Sequence, residues 1–430
     1  MKNKIYFAAL FFAISVYSQT DSLFLRLPDY IYTTTTSQYS VFYKNLILSE
    51  TPDNYSFIVN CPVGYNDGNK YSLDSLTSGS YSIQIEVLDS LGNILETDES
   101  QLMVTENNIT HNDTLKLLFI GDSLTKAGKY ERYAKELLDE VGDYPIKLLG
   151  TQFYTTQDSI DGIFHEGRGG WKWANYTLDS LSPFVYSVYP GVDIQKYIDE
   201  KLNGEVPDIV MIFLGINDVF GIDASSLETI DATITNIFKD RSMGLLINEF
   251  AETLPNVPIG ICLIPVANER QETWYTLYGD STLCWEYRQC QHRLIQRYID
   301  YYKDLAKPNF SMIPIYPNID TFNGYYSTNA LHPNLYGYGQ IAYSVYSWIK
   351  YQISQLMTEP KNLQIGYNVN SIILSWDQSA GAYLYNIYRS TNPYSGFTPI
   401  GSTPDRFFID SEINQSIRYF YKVTAENSLK

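Results

Sequence analysis

The strongest constraint on the fold is a run of apolar segments too short for helices and too continuous for exposed strands. Leu115–Ile120, Asp208–Leu214 and Ile259–Pro265 are each six or seven residues of nearly unbroken apolar character. That pattern belongs to parallel strands buried on both faces. Between them the period changes to that of helices. Tyr130, Tyr133, Ala134, Leu137 and Leu138 recur at helical spacing within Lys129–Val141. Cys284–Leu305 and Tyr338–Leu356 read as further helices, and Ile146–Leu149 and Ser311–Ile315 as further strands. Alternating strands and helices predict a three-layer α/β/α domain over residues 115–356.

The flanks have a different period. Tyr39–Tyr43, Tyr55–Val59 and Tyr81–Val87 alternate or run apolar, and Leu91-Gly92 reads as a hairpin tip. Residues 21–106 are therefore expected to form a small Ig-like β-sandwich, with the polar stretch 107–114 as linker. β patterning returns beyond residue 360 in Ser371–Trp376, Ala382–Arg389 and Tyr419–Thr424. Tyr383, Tyr385 and Ile387 share one face there, and Trp376 reads as core. The order Leu-Ser-Trp, Tyr-Asn-Ile-Tyr-Arg and Tyr-Phe-Tyr-Lys-Val-Thr-Ala-Glu-Asn resembles a fibronectin type III domain over 360–430. The last strand of such a domain would fall where the sequence stops at Lys430.

Residues 1–18 read as a signal peptide. Lys2 and Lys4 precede the apolar run Ile5–Val16, which is too short to span a bilayer. A secreted, periplasmic or cell-surface location is the expectation. The whole chain has 30 basic and 48 acidic residues. Without the leader's two lysines the balance is 28 − 48 = −20, which disfavours nucleic acid and anionic membrane as partners. Cys61, Cys262, Cys284 and Cys290 make no disulfide framework in so long a chain. Cys262 reads as a buried thiol, and the offset between Cys284 and Cys290 suits a helical bridge badly. His111, His165, His292 and His332 show no metal-ligand spacing, so neither metal nor cofactor is expected.

Chemistry concentrates at the ends of the buried strands. Ile120-Gly121-Asp122-Ser123-Leu124 places a serine just beyond the first strand, where α/β sheets collect their ligands. Gly167-Arg168-Gly169-Gly170-Trp171 is a loop whose glycines let backbone N–H groups turn inward. Leu214-Gly215-Ile216-Asn217-Asp218 follows the second buried run, and His332-Pro333-Asn334 precedes the last helix.

These four blocks, in this order, resemble the SGNH/GDSL hydrolase family, whose domain is flavodoxin-like, over 115–356. The resemblance implies an esterase with Ser123 as nucleophile and His332 as general base. It implies an oxyanion hole made by the N–H groups of Ser123 and Gly170 and the Asn217 side chain. One position departs from the family pattern. Asn329 stands three residues before His332, where the family usually has aspartate. Asn329 could orient the imidazole through its amide oxygen. Asp320, another carboxylate or a backbone carbonyl could do so instead.

Other residues carry competing readings. Arg168 either holds the loop or meets a substrate carboxylate, the former being favoured. Trp171 and Trp173 either stack on a sugar or pack. His165 either lines the site or lies on a polar surface, and His292 is structural. The function expected is hydrolysis of short-chain esters, O-acetyl foremost, on an oligo- or polysaccharide. A lipase or lysophospholipase, and a noncatalytic glycan-binding protein on a hydrolase scaffold, are the alternatives.

Overall fold

The computed structural model describes residues 23–426 apart from 37, 109–113, 142–144, 154–161, 188–190, 240–241, 280–282, 306, 308, 356–358, 378, 380, 381 and 383. The leader expected at 1–18, most of the linker, His111, Leu356 and Tyr383 lie outside these.

The continuous apolar runs form the middle of a parallel sheet. Its order is Phe164–Gly167, Leu115–Gly121, Ile209–Phe213, Ile259–Leu263 and Phe310–Pro314, with the short strand Gln152–Phe153 antiparallel at one edge. Every residue of Ile209–Phe213 and Ile259–Leu263 is buried. Helices cover the sheet to make three layers. Lys129–Val141 packs on Leu335–Gln355, and Leu227–Thr235 packs on Cys284–Leu305. The first strand of the sheet lies at its centre, and its two neighbours lead off in opposite directions. The crevice between Leu115–Gly121 and Ile209–Phe213 is thus a topological switch point, where such sheets bind ligands.

One edge of the strand Leu115–Gly121 is shared by two partners. Ile146–Leu149 pairs with its first half, Leu115 to Leu118, and Phe164–Gly167 with its end, Ile120 and Gly121. The exchange occurs at Gly150, whose φ is +148°. A Cβ there would lie 2.4 Å from the His165 backbone, so only glycine allows the two strands to pass. Its effect is to bring the loop after Gly167 alongside Ser123.

The N-terminal residues form a four-stranded sheet in the order Tyr30–Thr34, Ile94–Thr105, Gly79–Leu88 and Ser56–Asn60. A three-stranded sheet of Tyr39–Phe42, Lys70–Leu73 and Tyr65–Asp67 accompanies it. The predicted hairpin tip is present, with Gly92 at φ +82°. These strands and the α/β layers share one hydrophobic core running from Leu25 to Ile353. Tyr32 meets Tyr351 of the closing helix with ring centroids 4.9 Å apart. The Tyr39 hydroxyl donates to Pro314 O at 2.7 Å. Asn45 is buried, and its Nδ2 donates to Tyr316 O at 2.8 Å and Ile319 O at 2.7 Å.

The C-terminal residues form two three-stranded antiparallel sheets, Gln364–Asn368, Ser371–Ser375 and Phe407–Asp410 in one, and Thr398–Thr403, Leu384–Ser390 and Phe420–Glu426 in the other. They close over a separate small core in which Trp376 meets Tyr385 edge-on at 5.3 Å. No described helix is long and apolar enough to cross a membrane. All four cysteines are free thiols.

Asn45→Ala would strand two buried carbonyls at the seam between the N-terminal sheets and the parallel sheet. Chemical unfolding should show a loss of about 2 kcal/mol. A loss below about 0.5 kcal/mol would mean that the seam is solvated.

Candidate active site

The end of Leu115–Gly121 turns sharply into the short helix Ser123–Lys126. Asp122 caps it, its carboxylate accepting from Leu124 N at 2.9 Å. The turn is tight because Gly121 has no side chain: a Cβ there would sit 2.1 Å from Thr125 Oγ1 and 2.8 Å from Phe213 O. Ser123 is therefore the first residue of the helix, its N–H without an intrahelical acceptor.

His332 arrives from the loop before the closing helix. Its Nε2 lies 2.9 Å from Ser123 Oγ, and its Nδ1 lies 3.3 Å from Asn329 Oδ1. The same amide oxygen accepts from the backbone N–H groups of Leu331 at 3.1 Å and His332 at 2.8 Å. Two backbone donors identify that atom as oxygen rather than nitrogen. The ring must then carry its proton on Nδ1 and leave Nε2 as the acceptor for the serine hydroxyl. Asn329 thus takes the orienting position. Asp320 does not: its carboxylate accepts from Phe322 N at 3.0 Å, Asn323 N at 2.8 Å and Asn323 Nδ2 at 3.0 Å. The His332 loop is itself held by Asn268, fully buried beyond the strand Ile259–Leu263. Asn268 Nδ2 donates to Asn329 O at 2.9 Å and Tyr326 O at 3.0 Å. Sequence reasoning missed Asn268, since one asparagine after a strand carries no distinguishing signal.

Burial, and secondarily the Lys129 ammonium, push the His332 pKa below the ordinary imidazole value. Among the described residues no carboxylate is hydrogen-bonded to the ring.

The glycine loop is built from buried charge. Glu166, fully buried, pairs with Arg168 at 2.7 Å. It also accepts from Thr151 N at 2.8 Å, Thr151 Oγ1 at 2.9 Å and Tyr197 OH at 2.9 Å. Arg168 N–H donates to Gly121 O at 2.9 Å, and its guanidinium lies 4.9 Å above the Trp171 ring. Arg168 therefore holds the loop. Trp171 N–H closes a turn onto Arg168 O at 3.2 Å, with Gly170 at φ +78°. That positive φ at the third position is the geometry of a type II turn, which favours glycine. Gly169 and Gly170 are both exposed.

Asn217 comes from the helix Ile216–Val219 at the end of Ile209–Phe213. Its Nδ2 donates to Trp171 O at 3.0 Å and approaches Asp122 Oδ2 at 3.4 Å. The chain brings Ser123, Gly170, Asn217 and His332 to one crevice, with Asn329 behind the histidine. Asp218 accepts from Trp173 N at 3.3 Å through Oδ1, while Oδ2 is buried without a partner. Burial raises the carboxyls of both Asp122 and Asp218 to about 7.

Two expected placements, those of Trp173 and His165, are corrected. Trp173 is fully buried and donates from Nε1 to Tyr298 OH at 2.6 Å, so it is core and meets no substrate. Trp171 is half-buried, edge-on to Tyr176 at 4.8 Å, with Arg168 over its ring. His165 neither lines the crevice nor lies on the surface. It is buried in the strand Phe164–Gly167, accepts from Gly167 N at 3.0 Å through Nδ1, and is pushed down to about 4 by burial. His292 is buried beside Leu46 O, as a structural reading requires. Among the described residues no three His, Cys, Asp or Glu side chains gather as a metal site would need.

The profile of the family described as GDSL-like Lipase/Acylhydrolase matches residues 117–345, more than half of the chain. Among solved structures, the family 3 carbohydrate esterase of Clostridium thermocellum is 18% identical with a TM-score of 0.36, over 56% of this chain and 98% of that one. A carbohydrate esterase family 3 structure from Talaromyces cellulolyticus is 17% identical with a TM-score of 0.33, over 56% and 99%. An Fn3-like protein from Clostridium thermocellum is 25% identical with a TM-score of 0.16, over 17% and 78%. No curated protein sequence matches the chain significantly.

His332 should titrate below the free-imidazole midpoint of about 6.5 when followed by NMR. Asn329→Asp should raise that midpoint, because a carboxylate stabilises the imidazolium. A wild-type midpoint above 7 would show that an acid already faces the ring.

Proposed function

The chain belongs to the GDSL-like lipase/acylhydrolase family and is a carboxylic ester hydrolase; from that premise we propose that it removes short acyl groups, acetyl foremost, from exported carbohydrate, with Ser123 as nucleophile and His332 as base. The observation that carries this reading is the 2.9 Å approach of His332 Nε2 to Ser123 Oγ, with the Asn329 oxygen behind the ring.

Ser123 Oγ attacks the ester carbonyl carbon as its proton passes to His332 Nε2. The carbonyl oxygen becomes an oxyanion and accepts from the N–H groups of Ser123 and Gly170 and from Asn217 Nδ2. Asn217 meets it by giving up the long 3.4 Å approach to Asp122 while keeping Trp171 O. The C–O bond to the alcohol then breaks, and His332 protonates the departing oxygen. Water, deprotonated by His332, attacks the acyl-serine, and the acid leaves as Ser123 recovers its proton.

Asn329 orients the imidazole but adds no negative charge. A neutral base therefore persists to lower pH than it would beside a carboxylate, while the imidazolium formed in the transition state is less stabilised. Turnover is modest and extends into acid. On the two segments that carry Ser123 and Gly170 the exposed residues are Lys126, Gly169, Gly170 and Lys172, not the apolar wall that rewards a long acyl chain. The leader-like N-terminus, the acidity and the accessory β-sheets favour an extracellular polymer as the alcohol partner. They do so by analogy with other secreted modular enzymes.

Turnover of 4-nitrophenyl acetate should exceed that of the octanoate, and acetate should be released from acetylated xylan. Asn217→Ala should lower kcat by about 100- to 1,000-fold, the worth of one oxyanion donor. Near wild-type turnover in Asn217→Ala would remove Asn217 from the mechanism. An optimum at octanoate would make the enzyme a lipase.

A further inference from the structure

Lysines gather beside the crevice in a chain whose formal charge is −18. Three lysines stand on the two segments that carry Ser123 and Gly170. Lys126 ends the helix that Ser123 begins, and its side chain runs along the glycine loop. A Cβ on Gly169 would lie 3.5 Å from its Cδ and 3.8 Å from its Nζ. Lys129, three residues on, sits 5.0 Å over the Tyr338 ring and is close enough to depress the His332 pKa. Lys172 is two residues beyond Gly170 and exposed, with the Asp218 carboxyl within electrostatic reach.

Among the described residues none of the three lysines makes an ion pair. Other cations nearby are neutralised: Arg168 by Glu166 at 2.7 Å, Arg132 by Glu136 at 2.9 Å and Lys135 by Asp139 at 2.5 Å. Buried acids in the same neighbourhood offset the lysines only in part. Asp122, Glu131 and Asp218 are buried, and burial holds each carboxyl well above the ordinary carboxylate range. With 48 acidic residues against 30 basic ones, three unpaired lysines around one serine depart from the chain's own composition. An enzyme acting on a neutral glycan gains nothing from them. A carboxylate on the esterified sugar or its neighbour would gain attraction as it approached Ser123 and would be held at the rim once bound.

We propose that Lys126, Lys129 and Lys172 select an anionic glycan, so that the ester cleaved at Ser123 is borne by a uronic acid polymer rather than a neutral one. This rests on the esterase reading above and names the substrate class for the same site.

The test compares acetate release from acetylated polygalacturonate with release from the same polymer after its carboxyls are methyl-esterified, a change that removes charge and little else. The free acid should give the higher kcat/KM, and the ratio should fall toward one as sodium chloride is raised to 0.5 M, about where screening removes surface attraction. Lys126→Gln with Lys172→Gln should lower the ratio by about tenfold, at most about fivefold for each exposed ion pair lost. The change should fall mainly on KM. Both lysines are at the surface, and a thermal unfolding curve matching wild type checks the fold. A ratio at or below one, or a ratio that neither salt nor the substitutions move, overturns the proposal while leaving the esterase reading intact. Failure to hydrolyse either polymer and 4-nitrophenyl acetate overturns both.

Discussion

The register between Leu115–Gly121 and Ile209–Phe213 is the constraint on which the site depends. It sets Gly121 opposite Phe213, so the chain leaves both strands at the same height. Ser123 and Asn217 then lie two and four residues beyond that shared edge. The second constraint is the change of partner at Gly150, which lets Phe164–Gly167 take over the end of the central strand and delivers Gly170 beside the serine. A one-residue slip in either pairing would turn these groups to the opposite face of the sheet. The glycines at 121 and 150 matter because each marks a point where backbones pass too closely for a Cβ.

Electrostatics around this frame divide into a buried layer and a rim. The buried layer spends its charge on position: Glu166 with Arg168 fixes the glycine loop, while Asp122 and Asp218 serve as acceptors for backbone N–H groups and are held near neutrality. The histidine is oriented by an amide. Its oxygen is locked by two backbone donors, and Asn268 locks the loop that presents it. The amide oxygen thus holds the ring's orientation at 3.3 Å from Nδ1, without a carboxylate's negative charge. That separation of geometry from charge is why the His332 pKa is set by burial and by Lys129 rather than by a partner acid.

Much of this was legible in the chain. Leu115–Ile120, Asp208–Leu214 and Ile259–Pro265 announce themselves because burial on both faces leaves no room for polar alternation. Ser123, Gly170, Asn217 and His332 stand out in the sequence because each lies in a short block: two at the ends of buried strands, one in a glycine loop and one before the closing helix. Phe164–Gly167 does not, since two of its four residues, His165 and Glu166, are polar groups buried for hydrogen bonding, which reads as loop. Trp173 stays undecided in the sequence because a tryptophan near glycines suits stacking and packing equally; its burial against the Tyr298 hydroxyl decides for packing. The shared core between residues 25–105 and the closing helix depends on contacts such as Tyr32 with Tyr351, between residues far apart in sequence. No local pattern encodes such contacts.

The proposed mechanism stands on Ser123 as nucleophile, activated by His332 across 2.9 Å. Covalent labelling with a fluorophosphonate, followed by peptide mass spectrometry, tests it most directly. One adduct is expected, on the peptide containing Ser123, absent from Ser123→Ala and strongly slowed in His332→Ala. An adduct on another residue, or labelling that persists undiminished in Ser123→Ala, would contradict it.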